Sequence, residues 1–137
     1  MQQLKPLRAG REEISLGITP AISHYTDAVR FGDLLFISGI VAIDADLEVV
    51  SDDVAEQADY IFDVIGRIMA KAGAGFADVL RVTVYLLDVA DRTRINPVRQ
   101  KYFGDARPAS TLIGVRELAL PGLKIEVEAV VGLPASA

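Results

Sequence analysis

Between Ser51 and Gly73 the apolar residues Val54, Ala58, Ile61, Ile65, Ile68 and Ala72 recur at alternating steps of four and three. That spacing draws one apolar stripe down a helix. Ser51, Asp52 and Asp53 offer N-caps and negative charge at the positive end of its dipole, and Gly73 suits a left-handed C-cap. Elsewhere the period is two. Over 79–87, Val82, Val84 and Leu86 face one way and Arg81, Thr83 and Tyr85 the other, which predicts a strand. Over 124–131, Ile125, Val127 and Ala129 share one face while Lys124, Glu126 and Glu128 share its opposite. Residues 111–115 read as a further strand, split from the last by Leu120-Pro121-Gly122. Near the start, Ile14 and Leu16 alternate with Glu13 and Ser15, suggesting a short strand after a polar segment, 1–12, that reads as an edge strand or loose arm. Residues 27–30 and 34–38 flank Phe31-Gly32-Asp33, where glycine beside aspartate supplies the positive φ of a tight hairpin. A second helix fits 96–103, with Asn96 as N-cap, Pro97 at the first helical position and 91–95 as a preceding turn.

The order strands, helix, strand, helix, strands predicts an α+β fold, a mixed sheet with two helices packed on one face. A chain of 137 residues, 51% hydrophobic and 24% charged, suffices for one core and one domain over 1–137. The sheet face away from the helices carries Thr83, Tyr85, Glu126 and Glu128 beside apolar neighbours. Such a face is either solvated or covered by other copies of the chain, and a mean hydropathy of +0.33 favours the oligomer.

Charge and residue inventory narrow the chemistry. Lys+Arg 14 against Asp+Glu 19 leaves a net charge of −5, the wrong sign for a protein that wraps nucleic-acid phosphates. Cysteine is absent and His24 is the only histidine, so thiolate chemistry is excluded and a zinc site or a Ser-His-Asp triad would depend on that single residue. The expectation is no metal and no cofactor. No apolar stretch approaches the roughly 18 residues of a membrane span, so a cytoplasmic protein without membrane contact is the simplest expectation.

Two constellations can carry proton chemistry. Glu126 and Glu128, two apart on a strand, project from one face about 6 to 7 Å apart. A carboxylate partly withdrawn from water has a raised pKa and can move protons near neutral pH. The competing reading pairs them with Lys124, Arg81 or a neighbouring chain. His24-Tyr25 sets two proton-capable side chains on a loop, against a reading as a surface histidine beside a packed tyrosine ring. Gly73-Ala74-Gly75 ends a helix rather than starting one and lacks a following lysine, so it reads as a C-cap and turn. Asp44, Asp46 and Glu48 lack calcium-loop spacing and read as a solvated turn.

The linear order of motifs is more telling than any one of them. Ser23-His24-Tyr25-Thr26-Asp27-Ala28-Val29, followed by Gly32-Asp33-Leu34-Leu35-Phe36-Ile37-Ser38-Gly39, resembles the opening signature of the RidA/YjgF family, the reactive intermediate deaminases. Ala72-Gly73, Asp78-Val79, the strand Val82-Thr83-Val84-Tyr85-Leu86 with Asp88, Asn96, Tyr102-Phe103, Pro108-Ala109 and Ile125-Glu126-Val127-Glu128-Ala129 follow in that family's order. The resemblance covers residues 20–131, leaving 1–19 as an arm or edge strand. It implies a chorismate-mutase-like fold, assembly as a homotrimer and small-molecule clefts between subunits. In the deaminases an arginine after Pro-Ala grips the carboxylate of an imine or enamine, and a glutamate positions or activates the water that attacks the C=N carbon.

Carried across, the resemblance puts the tyrosine at Tyr25, the Ser-Gly segment at Ser38 and Gly39, the asparagine at Asn96 and the glutamate at Glu126. Tyr85 and Thr111 join the candidate binding residues. The arginine does not carry over: Ser110-Thr111 follows Pro108-Ala109. The family's Gly-Pro before the tyrosine is Ser23-His24, and its two glutamines are Asp27 and Ile40. Each charge-assisted hydrogen bond of a guanidinium to a carboxylate is worth about 1.5 to 3 kcal/mol, which Ser110 cannot replace. On an extended chain Arg107 and Arg116 begin about 10 and 20 Å away. The implied reading is C=N hydrolysis with Glu126 handling the proton, and Ser110, Thr111, Tyr25 and His24 choosing a neutral or bulkier substrate. The alternatives are a non-catalytic small-molecule-binding trimer and, with least support from charge and histidine count, an endoribonuclease.

Overall fold

The computed structural model describes residues 10–135; residues 1–9, which hold most of the expected arm, and 136–137 lie outside that range. The strands are β1 (Arg11–Ile14), β2 (Ala28–Phe31), β3 (Leu34–Val41), β4 (Val79–Leu86), β5 (Ala109–Gly114) and β6 (Ile125–Gly132), and the helices are α1 (Val54–Lys71) and α2 (Arg92–Phe103). They form one six-stranded sheet in the order β1-β2-β3-β6-β4-β5. Only β4 and β5 pair in parallel; the other neighbours are antiparallel. The last strand in sequence thus lies between β3 and β4, inside the crossover that α1 makes. The α+β mixed sheet expected from the sequence is what forms.

Alternation along β6 makes the core. Ile125, Val127, Ala129 and Val131 are buried with Leu35, Ile37 and Ile40 of β3 and Val82, Val84 and Leu86 of β4. Against them α1 buries Val54, Ala58, Ile61, Ile65 and Ile68, and also Phe62 and Met69, so its apolar face is wider than the single stripe. Asp53 caps α1 by accepting from the Glu56 amide at 3.1 Å, and Gly73 closes it at φ +76°. The expected hairpin joins β2 and β3 with Gly32 at φ +60°.

The second helix begins a turn before its expected start. Asp91 precedes α2, and Asn96 and Pro97 lie inside it instead of capping it. The cause is Ile95, which belongs to the core and must be helical to reach it. Pro97 removes one backbone donor, a penalty offset by tertiary anchoring. Tyr102 and Phe103 pack with Phe62 and Phe76 at ring-centroid distances of 5.1 to 5.7 Å. The Tyr102 hydroxyl donates to the Asp59 carbonyl and carboxylate, both at 3.0 Å, and burial pushes its pKa up to about 12.

One buried polar side chain joins these parts. Gln57 of α1 is fully buried, with its amide nitrogen donating to the carbonyls of Ser51 (2.7 Å) and Gly122 (2.9 Å) and its oxygen accepting from the Lys124 amide (2.9 Å). It ties the start of α1 to the turn that launches β6. No helix among the described residues is long and apolar enough to cross a membrane.

Gln57→Ala leaves two carbonyls and one amide without their partner, and chemical unfolding should show a loss of about 2 to 4 kcal/mol. A loss below about 0.5 kcal/mol would show that water replaces the side chain.

Candidate functional site

The sheet face away from the helices is uncovered. Phe36 is 46% exposed with Leu34 exposed beside it, and Ile113 is exposed on the far strand β5, all on the same side as Glu126, Glu128 and Tyr85. Glu126 is opposite Val41 of β3 and Tyr85 of β4. Next to Val41 the β3–β6 register shifts between Ile37 and Ile40, so Ser38 and Gly39 form an irregular step in the strand. The carboxyl of Glu126 lies over Gly39. A Cβ there would stand 2.8 Å from the Glu126 carboxyl carbon, so the absence of a side chain gives the carboxyl its place.

Ser38 also anchors the loop that leads to β2. Its hydroxyl donates to the Thr26 carbonyl at 2.6 Å and its amide to the Asp27 carbonyl at 2.9 Å. Asp27 in turn accepts from the Leu16 amide at 2.8 Å. These bonds hold Tyr25, 43% exposed, at the mouth of a cleft of about 320 Å³ lined by Tyr25, Ser38, Gly39, Glu126, Val41 and Ala119 among others. Tyr25, Ser38, Gly39 and Glu126, expected together, are together.

Electrostatics single out Glu126. Burial first, and the negative charge of Glu128 second, push its pKa above the ordinary 4.5. It makes no hydrogen bond or ion pair with the described residues; the ion pairs there are Arg11–Glu13, Arg94–Asp53 and Lys101–Asp59. Glu128 instead accepts from the Tyr85 hydroxyl at 2.7 Å, and that bond, with burial and the two glutamates, raises the tyrosine pKa. Pairing with Lys124 or Arg81 occurs for neither glutamate. Glu126 is thus a half-buried carboxyl whose surroundings favour the protonated form and leave its oxygens free for a ligand.

The remaining candidates are elsewhere. His24 is exposed on the loop and does not line the cleft, and Tyr85 is turned to Glu128. Asn96 is exposed on α2. Thr111 accepts from Arg81 at 3.2 Å. Ser110 pairs with core-facing Val82, so alternation puts it on the helix side of the sheet, where its hydroxyl accepts from Arg99 of α2 at 3.0 Å. Nothing local in the sequence marks Arg99, whose approach to Ser110 depends on where α2 starts. Among the described residues no group of three or more His, Asp or Glu side chains gathers as a metal site would.

Comparison with known proteins points one way. Residues 18–133 match the family described as Endoribonuclease L-PSP. A RutC family protein of Pyrococcus abyssi is 37% identical over 110 residues, which span 80% of this chain and 86% of that one. The human 2-iminobutanoate/2-iminopropanoate deaminase is 37% identical over 123 residues, 88% of each chain. Among solved structures, RidA from an Antarctic Psychrobacter superposes with a TM-score of 0.83 at 27% identity, over 90% of this chain and 100% of that one.

The raised Glu126 pKa fixes the sign of a stability effect. A carboxyl whose folded pKa exceeds its unfolded value stabilises the fold below the unfolded pKa, and that contribution disappears as pH rises through the folded pKa. Glu126→Gln, which keeps the neutral shape, should therefore raise Tm at pH 7 and leave it unchanged at pH 3.5. A Tm gain of equal size at both pH values would remove ionisation as the cause.

Proposed function

This chain belongs to the Endoribonuclease L-PSP family, the RidA/YjgF proteins, and on that premise we propose that it hydrolyses an imine, enamine or related C=N compound, with Glu126 handling the proton. The observation that carries this reading is the half-buried Glu126 carboxyl, lying over Gly39 beside Tyr25 with no protein partner. The deaminase activity in the name of the human relative, 37% identical, supports the reaction class.

The chemistry needs one acid–base group and a held water. Ionised Glu126 takes a proton from water as the water oxygen bonds to the C=N carbon, and passes that proton to the imine nitrogen to give a neutral carbinolamine. Glu126, ionised again, takes the proton of the carbinolamine hydroxyl and delivers it to the nitrogen. The C–N bond breaks as the carbonyl forms, and ammonia leaves. The net change is C=NH plus water to C=O plus ammonia. Tyr25 and the Ser38-Gly39 backbone orient the substrate at this carboxyl. A pKa above 4.5 suits the task, since a base close to the working pH both accepts and returns the proton.

The active form is a homotrimer with clefts between subunits, the assembly typical of the family. The exposed Phe36 and Leu34, neighbours on β3, and Ile113 on β5 support it, because apolar side chains on the open sheet face gain by being covered. Serine at position 110 favours a second reading, a trimer that binds small molecules without turning them over. RNA cleavage has weaker support, with a net charge of −5 and a single histidine.

Ammonia release from imines generated in situ tests the reading. Glu126→Gln should lower turnover at least about 100-fold, within the usual contribution of a general base, with the trimer intact. Tyr25→Phe should cost about fivefold, the worth of one hydrogen bond. Equal turnover in wild type and Glu126→Gln would end Glu126's role, and wild type without ammonia release from any imine would favour the binding reading. Light scattering on the wild type should give the mass of three chains of 14.7 kDa; a monomer would contradict the inter-subunit cleft.

A further inference from the structure

The two glutamates of β6 stand on one face, yet their carboxyls diverge. Glu126 lies over Gly39, which belongs to β3. Glu128 turns the other way, to β4, where it accepts from the Tyr85 hydroxyl at 2.7 Å. In the β4–β6 register the partner of Tyr85 is Glu126, and the partner of Glu128 is Thr83. The tyrosine therefore leaves its own cross-strand neighbour and reaches the diagonal one, a span within the range of an aromatic side chain. A phenol has one O–H to donate, and this one is committed to Glu128.

Without that bond the pair would behave otherwise. Residues two apart on a strand have Cα atoms about 6 to 7 Å apart, close enough for two glutamate side chains to meet. Two half-buried carboxyls that meet take one proton between them, because ionising both side by side is costly. The shared proton then belongs to neither residue, and the pair releases it only at higher pH. The other groups around Glu126 do not prevent this. Tyr25 lines the cleft from the loop before β2, and β3 offers Ser38, Gly39 and Val41, which do not titrate. From β4, Arg81 is exposed and donates to Thr111 of β5. Among the described residues, Tyr85 is the one side chain that hydrogen-bonds to either carboxyl.

We propose that Tyr85 is a positioning residue: by holding the Glu128 carboxylate towards β4 it keeps the two glutamates from sharing a proton, and so leaves Glu126 as the single group that exchanges a proton in the cleft. This rests on the C=N hydrolysis proposed above only for the use made of that proton. Gly39 and Tyr85 act in opposite directions. The missing side chain admits one carboxyl against β3, and the phenol holds the other at β4. The lining of the cleft includes Glu126 and not Tyr85, so the tyrosine acts through Glu128 rather than by touching a ligand there.

Tyr85→Phe keeps the ring and removes the donor. Carbon NMR of protein with isotope-labelled glutamate carboxyls reads the consequence without requiring turnover. The Glu126 signal followed against pH should show one step in wild type. In Tyr85→Phe it should show two steps shared with the Glu128 signal, the later one at higher pH than in wild type. In a Glu128→Gln background the same Tyr85→Phe change should leave the Glu126 titration in place, because no second carboxyl is there to share. A Glu126 titration unaltered by Tyr85→Phe, or altered equally in the Glu128→Gln background, would overturn the proposal. Ammonia release is scored separately. Under the deaminase reading, kcat/KM at pH 5 should fall at least about threefold in Tyr85→Phe, with the gap narrowing as pH rises. The shared titration in a protein that releases no ammonia keeps the role of Tyr85 and removes the deaminase reading.

Discussion

The two-residue alternation of β6, the strand at the centre of the sheet, is the constraint on which the rest depends. Ile125, Val127, Ala129 and Val131 must enter the core beneath α1, so Glu126 and Glu128 can only stand on the opposite face. A slip of one residue would bury two carboxylates and expose four apolar side chains, a cost far above the net stability of a domain this size. Gln57 guards that register by holding the Lys124 amide, one residue before the strand begins. The helix that covers the core therefore also sets where the Glu126 carboxyl emerges.

From that placement the properties of the site follow. Gly39 lets the Glu126 carboxyl lie close against the β3 backbone, which removes part of its water, and Glu128 adds a like charge two residues away. Tyr85 takes up Glu128 by a hydrogen bond and leaves Glu126 without a partner. Two adjacent glutamates on one strand thus have separate roles, one satisfied and one available. Ser38 ties the Tyr25 loop to β3, the strand whose Gly39 underlies the Glu126 carboxyl, so one strand positions both the loop and the carboxyl.

The parts legible in the sequence are those where one period dominates. The stripe of α1, the alternation of β4 and β6 and the Gly32 hairpin reflect local chemistry and core burial together. The start of α2 was not legible, since Pro97 after Asn96 mimics a helix start, while the burial of Ile95 draws the preceding turn into the helix. Gln57 is hidden because nothing local marks a polar residue whose three partners are distant in sequence, apart from Ser51. The gathering of Tyr25, Ser38, Gly39 and Glu126 followed from resemblance and could not be read from periodicity, because a strand irregularity brings it about. Ser110 and Thr111 are neighbours in sequence, yet alternation sends them to opposite sides of the sheet, and the cation beside Ser110 arrives from another element.

The most direct test of the central claim, that a carboxyl of raised pKa at Glu126 drives C=N hydrolysis, is the pH dependence of kcat/KM for ammonia release. The account predicts an acidic limb governed by a group titrating above 4.5, moving to lower pH in Glu128→Gln as the like charge is removed. A limb that stays in place when Glu128 is neutralised would contradict it.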